Sequence, residues 1–191
     1  MKMNTLAPID PGQLRESELE LRFKAFMPHP VHKVTTYYFQ MVHVGTGDEL
    51  RIINLRVGST PHIELYAGHV GYAVHPPHRG HRFAARSLRL LLPLARSLSL
   101  NPLWVTCDPE NAASRRSLEI VGARLIEIVD VPAHCVIHQS GHPRKCRYRL
   151  GASGAQFLRE HVASNRSCTE PGAGSRRIGV GQSNFDGRIA S

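Results

Sequence analysis

The sequence has 191 residues, of which 41% are hydrophobic, enough for one domain with a buried core and too apolar for a wholly disordered chain. No apolar run approaches the roughly 20 residues of a membrane span, and the amino terminus lacks a signal-peptide core, so we expect a cytoplasmic protein. The net charge of +9 suits a partner that bears phosphates, although a basic tail and biased composition would give the same charge. Four scattered cysteines are typical of free thiols.

Strand patterns dominate the first half of the chain. Alternating apolar and charged residues predict a half-buried strand over residues 19–27, where the composition also allows a helix. Strands over residues 35–44 and 50–57, separated by a glycine-rich turn, form a predicted hairpin. After a loop, residues 63–75 are expected to be extended, with two glycines that mark a bulge or a close approach.

The second half of the chain alternates helices with strands. Apolar residues at three- and four-residue spacing predict an amphipathic helix over residues 82–100, kinked at Pro93. Residues 108–111 carry Asp and Asn, either of which can cap a second helix, and that helix ends at Gly122. Short strands are predicted over residues 103–107, 124–131 and 145–150.

This order of elements predicts a mixed α/β sheet protein of one domain over residues 1–150. The composition then changes, because residues 151–191 are rich in Gly, Ser and Arg and poor in apolar residues. We expect this basic tail to be mostly disordered and to lie outside the fold.

Residues 71–85 carry the main functional signal of the chain. A short apolar strand ends at two prolines, passes through the basic turn Arg79-Gly80-His81-Arg82, and enters the Leu-rich helix. The first N–H groups of a helix have no partner within the helix, and its dipole is positive at that end. The turn is therefore a predicted phosphate site, in which small residues let the ligand approach the backbone.

Residues 74–84 resemble the acetyl-CoA signature of the GNAT superfamily of N-acetyltransferases, written Gln/Arg-x-x-Gly-x-Gly/Ala. This signature lies between the fourth strand and a long helix of the family. Arg79 matches its first position and Ala84 its last, whereas Arg82 stands where the inner glycine is usual. An arginine is tolerated there if its φ is negative and its side chain points outward.

A second block supports the same resemblance. Residues 104–111 and 114–123 are similar to the family's fifth strand and the helix that follows it. The two blocks come in the family's order, and the resemblance covers roughly residues 34–150. It implies a GNAT-like fold, in which helices flank a central, mostly antiparallel sheet whose fourth and fifth strands splay apart.

The resemblance also implies acetyl-CoA as co-substrate. The end of the fourth strand would pair with the pantetheine arm, the turn and first helical residues would hold the diphosphate, and the asparagine before the second helix would contact the cofactor arm. The cofactor-binding residues expected on this basis are Tyr72, Ala73, Val74, Arg79, Gly80, His81, Arg82, Phe83, Ala84, Ala85 and Asn111.

The implied reaction is direct attack of a neutral primary amine on the thioester, with a backbone N–H meeting the oxyanion. The tyrosine acid used by many relatives falls at Leu118 and a glutamate base at Thr106, so those side chains are absent. The catalytic candidates by chemistry are His69, Asp108 and Ser114. Asp108 is more readily explained as a helix cap, His69 is equally a packed strand residue, and a solvent-relayed proton is also allowed.

Several alternatives stay open. Cys135, His138, His142 and Cys146 have a spacing that allows zinc, but we expect a polar hairpin and no metal. A non-catalytic protein that keeps the CoA pocket, or one that binds nucleic acid through its basic face, is the rival class.

We expect an acyltransferase whose partner is a small-molecule or peptide amine, with neither a membrane nor a nucleic acid as partner. The acceptor site should be formed by the N-terminal elements and the late hairpin, with Glu49, Glu64 and residues 132–144 as candidates. A homodimer is left open.

Overall fold

The computed structural model describes residues 8–151. The strands in this range are Leu14–Glu16 (β1), Leu19–Pro28 (β2), Thr35–His43 (β3), Glu49–Val57 (β4), Val70–Val74 (β5), Leu103–Cys107 (β6), Arg124–Asp130 (β7) and Arg144–Leu150 (β8). The α-helices are Phe83–Ser97 (α1), Ala112–Ile120 (α2) and Val136–Gln139 (α3), with a π-helical turn at Ile63–Ala67 and a 3-10 turn at Pro76–His78.

The strands form two antiparallel sheets. Five strands pair in the order β1-β2-β3-β4-β5, and three pair in the order β6-β8-β7. Just before β5, the His69 backbone N–H donates to the Trp104 carbonyl at 2.6 Å, and β5 and β6 then continue without strand pairing. The predicted mixed α/β fold is confirmed. The predicted fourth and fifth strands correspond to β5 and β6, and these two strands splay apart as predicted.

Helix α1 closes the core over the larger sheet. Leu88, Leu91 and Leu94 are buried on one face of α1, in the same core cluster as Ile53 and Leu55 of β4. Burying a leucine side chain contributes roughly 1.5–3 kcal/mol to stability. The apolar stripe of α1 therefore fixes the helix on the sheet, and with it the turn that precedes the helix.

Several sequence-based boundaries are wrong. Residues 63–75 are not extended throughout, because Ile63–Ala67 coils into a π-helical turn closed by a 2.7 Å bond from the Gly68 N–H to the Ile63 carbonyl. Five residues of strand-compatible composition fit one turn as well as a strand, and tertiary packing decides between them. The predicted polar connection before β8 contains α3, and β1 was not predicted.

Helix α1 runs through Pro93 as one element rather than two, as expected, and the kink at Pro93 stays a prediction. Residues 1–7 and 152–191 lie outside the described residues. The disordered tail and the domain boundary at residue 150 therefore stay predictions.

Candidate active site

Two cavities meet in the wedge between β5 and β6. The helix-side cavity, of about 360 Å³, is bounded by β5, the turn before α1, and the first turns of α1 and α2. The loop-side cavity, of about 390 Å³, is bounded by β4, β5, β6, the β2–β3 loop and the β7–β8 connection. Tyr72, Asn111 and Ser114 line both cavities. These three residues therefore form the junction at which a ligand in one cavity meets a ligand in the other.

The structure brings most of the predicted cofactor residues together around the helix-side cavity. Those that line it are Tyr72, Ala73, Val74, Arg79, Gly80, Arg82, Phe83, Ala84 and Asn111. The other two do not: the His81 ring stacks on Phe83 with 5.7 Å between centroids, and Ala85 is buried in the core.

The turn before α1 leaves backbone donors free. Gly80 has φ +90°, and no atom lies within 4 Å of the position where its Cβ would stand, so the turn is open on that side. No side chain caps α1, and its first intrahelical bond runs from the Arg86 N–H to the Arg82 carbonyl at 3.0 Å. The N–H groups that precede Arg86 in the first turn are therefore available to an anion.

Arg82 adopts the left-handed conformation, with φ 59° and ψ 19°. The negative φ on which arginine was said to be tolerated at this position is therefore not met. The turn imposes a left-handed backbone, which glycine adopts without strain and which costs arginine about 1–2 kcal/mol.

The free edge of β5 faces the wedge. Strand β5 pairs with β4 on one side, and over residues 8–151 no strand pairs with its other side. The Val74 carbonyl accepts a hydrogen bond from Arg79 Nε at 3.1 Å, which fixes the turn against the strand end. The His75 N–H donates to the Leu50 carbonyl of β4, so by alternation Ala73 also faces β4 whereas Tyr72 and Val74 face the wedge. The remaining outward groups, those of Tyr72 and the Val74 N–H, can pair with an extended ligand.

A hydrogen-bonded chain occupies the junction. The Tyr72 hydroxyl lies 2.7 Å from Ser114 Oγ, and the Ser114 N–H donates to Asn111 Oδ1 at 2.9 Å. Burial raises the pKa of Tyr72 to about 12, so this hydroxyl is protonated at neutral pH. The junction therefore holds a proton donor next to a second hydroxyl. Sequence analysis selected Tyr72 for its backbone alone, and only the tertiary structure places its side chain.

His69 is fully buried and lines neither cavity. Its Nδ1 accepts from the Trp104 N–H at 3.0 Å, which places the ring proton on Nε2, 3.4 Å from Ser59 Oγ. Burial is the main cause that lowers the pKa of His69. This geometry favours the packed-strand interpretation, in which His69 ties the two sheets together where the wedge begins.

Asp108 lies at the wall of the loop-side cavity. Its Oδ1 accepts from Lys145 Nζ at 2.6 Å and its Oδ2 lies 2.8 Å from His142 Nδ1. Asn111 is the residue that caps α2, so the interpretation of Asp108 as the helix cap is wrong. Helix α2 begins at Ala112, so the capping position directly before it is Asn111, and Asp108 lies too far upstream.

The two positions where relatives carry acid and base are structural in this chain. Leu118 is fully buried in the core. Thr106 Oγ1 donates to the Tyr66 carbonyl at 2.8 Å and so holds the π-helical turn against β6. Proton transfer must use other groups.

The loop-side cavity contains functional candidates that sequence analysis missed: His32, Arg56, Tyr66 and Lys145. They lie far apart in the sequence and meet only through the fold. The sequence did contain one indication of Arg56. This charged residue stands between Leu55 and Val57 in a predicted strand, and charged residues are seldom buried unless they have a partner or a function. Of the acceptor-site candidates, residues 136, 137, 140 and 142 line the cavity, whereas Glu49 and Glu64 do not.

The spacing that allowed zinc does not form a metal centre in the described part of the chain. Cys146 is buried in β8, and Cys135 Sγ lies 3.9 Å from His62 Nδ1. Within residues 8–151 no three His, Cys, Asp or Glu side chains converge as metal ligands.

None of the helices in this range is long and apolar enough to cross a membrane.

Comparison with known proteins agrees with this architecture. The family described as acetyltransferase (GNAT) domain matches residues 10–124. Comparison with curated proteins gives no match.

Several solved structures share the fold. One is the ribosomal-protein-S5-alanine acetyltransferase of Vibrio fischeri, with 13% identity and a TM-score of 0.50, covering 62% of this chain and 63% of that chain. A probable GNAT-family acetyltransferase of Chromobacterium violaceum has 13% identity and a TM-score of 0.55, covering 80% and 94%. A spermidine N-acetyltransferase variant of Vibrio cholerae has 14% identity and a TM-score of 0.53, covering 76% and 99%.

At these identities the structures show similarity of fold alone, and the chain spans less than two thirds of the length of the Vibrio fischeri protein. The family assignment rests on the sequence match, which extends over more than half of the chain. This protein belongs to the GNAT acetyltransferase family.

Proposed function

We propose that this protein transfers an acetyl group from acetyl-CoA to a primary amine by direct attack. The observation that carries the proposal is the meeting of two cavities at Tyr72, Asn111 and Ser114. One cavity has a free strand edge and an open helix start, and the other is a chamber bounded by β4, β5, β6 and two connections. Such an arrangement suits a reaction in which two substrates bind side by side and one bond forms between them.

The residues around the helix-side cavity fit acetyl-CoA. The edge of β5 at Tyr72 and Val74 offers backbone groups to the amide-bearing pantetheine arm. The first turn of α1, after Gly80, offers N–H groups to the diphosphate, with Arg79 and Arg82 as neighbouring cations. When bound, acetyl-CoA supplies the thioester that is cleaved.

Proton transfer is assigned to the junction. The neutral acceptor nitrogen forms a bond to the thioester carbonyl carbon, the C–S bond breaks, and the departing sulfur takes a proton from the Tyr72 hydroxyl. The proton that the nitrogen loses as the amide forms returns to Tyr72 through Ser114, whose Oγ lies 2.7 Å from the Tyr72 hydroxyl. Asp108 is the only carboxylate that lines the loop-side cavity within residues 8–151, and it takes the proton from the incoming ammonium group. His69 is not given a role in proton transfer, because it is buried away from both cavities.

The test is release of the CoA thiol from acetyl-CoA in the presence of a panel of amines. We expect release that depends on an acceptor. Tyr72→Phe should lower kcat by roughly 100-fold, the size expected for a general acid, and change the affinity for CoA by less than about threefold. Tyr37→Phe is the matched control, since its hydroxyl is bound to the Ile9 backbone and lines neither cavity.

Two outcomes would contradict the proposal. If no amine supports release of CoA while CoA binds tightly, the protein is a non-catalytic CoA-binding member of the family, as the residues Leu118 and Thr106 would allow. If Tyr72→Phe leaves kcat unchanged, Tyr72 is not the proton donor.

A further inference from the structure

Arg56 is a buried cation in the wall of the loop-side cavity. It lies on β4, is 7% exposed and lines the cavity next to Gly71. Its Nη1 donates to the Ala67 carbonyl at 3.2 Å and the Gly68 carbonyl at 3.0 Å. These bonds hold the guanidinium in one orientation but leave its charge without a counter-ion.

The other nitrogens of Arg56 have no acceptor among the described residues. Nε is buried without a hydrogen-bond partner, and Nη2 donates to no group in residues 8–151. Nη2 lies 3.0 Å from where a Cβ on Gly71 would stand, so the absence of a side chain there lets the guanidinium lie against β5. The cavity wall therefore holds a buried cation whose Nη2 can donate to a ligand.

The remaining charges around the cavity leave Arg56 uncompensated. Asp108 accepts from Lys145 and lies 2.8 Å from His142 Nδ1, so it is not paired with Arg56. His32 contributes no charge at neutral pH, because burial, with a smaller contribution from Arg56, lowers its pKa to about 3. Within residues 8–151 no carboxylate lies within ion-pair distance of Arg56, and burial lowers the pKa of Arg56 itself only to about 10, so it stays charged.

We propose that the amine acceptor carries a carboxylate, which Arg56 binds through its free Nη2 in the loop-side cavity. The acceptor class is therefore an amino acid rather than a polyamine, since a second positive charge would meet the uncompensated guanidinium. This inference rests on the proposed acetyl transfer and specifies its substrate class. The carboxylate offsets the cost of a buried cation, and the amino group extends toward Tyr72 and Ser114 at the junction.

The experiment compares acceptors on the intact protein. Each of the twenty amino acids and its amide, together with spermidine, is offered with acetyl-CoA, and release of the CoA thiol is measured. A hydrogen bond between charged groups is worth about 1.5–3 kcal/mol, so we expect at least one amino acid to exceed its amide by roughly 10–100-fold in kcat/KM. Spermidine should be a poor acceptor.

Variants assign the preference to Arg56. Arg56→Gln should lower kcat/KM for the preferred amino acid at least about tenfold and bring it close to the value for the amide. Arg56→Lys, which keeps the charge, should retain part of the preference. Arg149→Gln removes the same charge from an exposed position on β8 and should change nothing. Urea unfolding and titration with CoA establish that each variant is folded, and the wild-type comparison of acid with amide does not depend on any variant.

The outcomes are distinct. Equal or better transfer to the amides or to spermidine overturns this inference and leaves the acetyl transfer standing. A preference for the amino acid that survives Arg56→Gln assigns the carboxylate to another residue and also overturns it. Absence of transfer to every amine overturns the proposed function and this inference together.

Discussion

Gly68→Ala is expected to disturb the point at which the two sheets separate. Gly68 has φ 71° and ψ 161°, a region that only glycine adopts without strain, which costs other residues about 1–3 kcal/mol. A Cβ there would lie 2.8 Å from the Thr106 nitrogen and 3.2 Å from the Val105 Cα. Both contacts are with the backbone of β6, so the strand must shift, at a further cost of about 1–3 kcal/mol. The sum is about 2–6 kcal/mol.

Urea unfolding measures the loss of stability, and titration with CoA measures the effect on the wedge. Gly141→Ala is the matched control, because Gly141 also has a positive φ, of 90°, but nothing lies within 4 Å of its missing Cβ. We expect Gly68→Ala to lose clearly more stability than Gly141→Ala and to weaken CoA binding, which the control should leave unchanged. Equal losses in the two variants, with CoA affinity intact, would refute the idea that Gly68 sets the spacing of β5 and β6.

Other predictions follow from the turn and the buried histidines. The pKa of His32 is about 3 in the folded protein against about 6.5 when unfolded, so the unfolded chain takes up this proton first. The free energy of unfolding should therefore fall as the pH drops from 6.5 toward 3, and His32→Asn should flatten that slope in urea titrations at pH 7.5 and 5. Arg82→Gly should raise the free energy of unfolding by up to about 1 kcal/mol, because glycine adopts the left-handed conformation without strain; a loss of stability would count against the strain. Gly80→Val should weaken CoA binding at least about tenfold, since a β-branched residue disfavours φ +90°, whereas Asp108→Asn should change it less than about threefold. Similar effects of these two substitutions would mean that the turn does not hold the diphosphate.

The sequence predicts those parts of the fold that local chemistry decides. The hairpin of β3 and β4 follows from β-branched and aromatic residues on either side of a glycine turn. Helix α1 follows from its apolar stripe, and the turn before it from the basic and small residues at its start. The helix-side cavity was predictable for the same reason, because one contiguous segment forms most of it.

The parts that the sequence does not predict depend on contacts between distant segments. The loop-side cavity joins His32, Arg56 and Lys145 from three separate elements, and no local pattern specifies their proximity. The side chain of Tyr72 acquires its role only when β5 is placed beside α2. The backbone of Arg82 is left-handed because the turn requires it, although its side chain would favour the opposite sign of φ.

Calorimetric titration of the full chain with CoA tests the central claim most directly. The account predicts saturable binding at one site with micromolar affinity, weakened at least about tenfold by Gly80→Val. Absence of saturable binding at micromolar protein would contradict a CoA site in the wedge between β5 and β6.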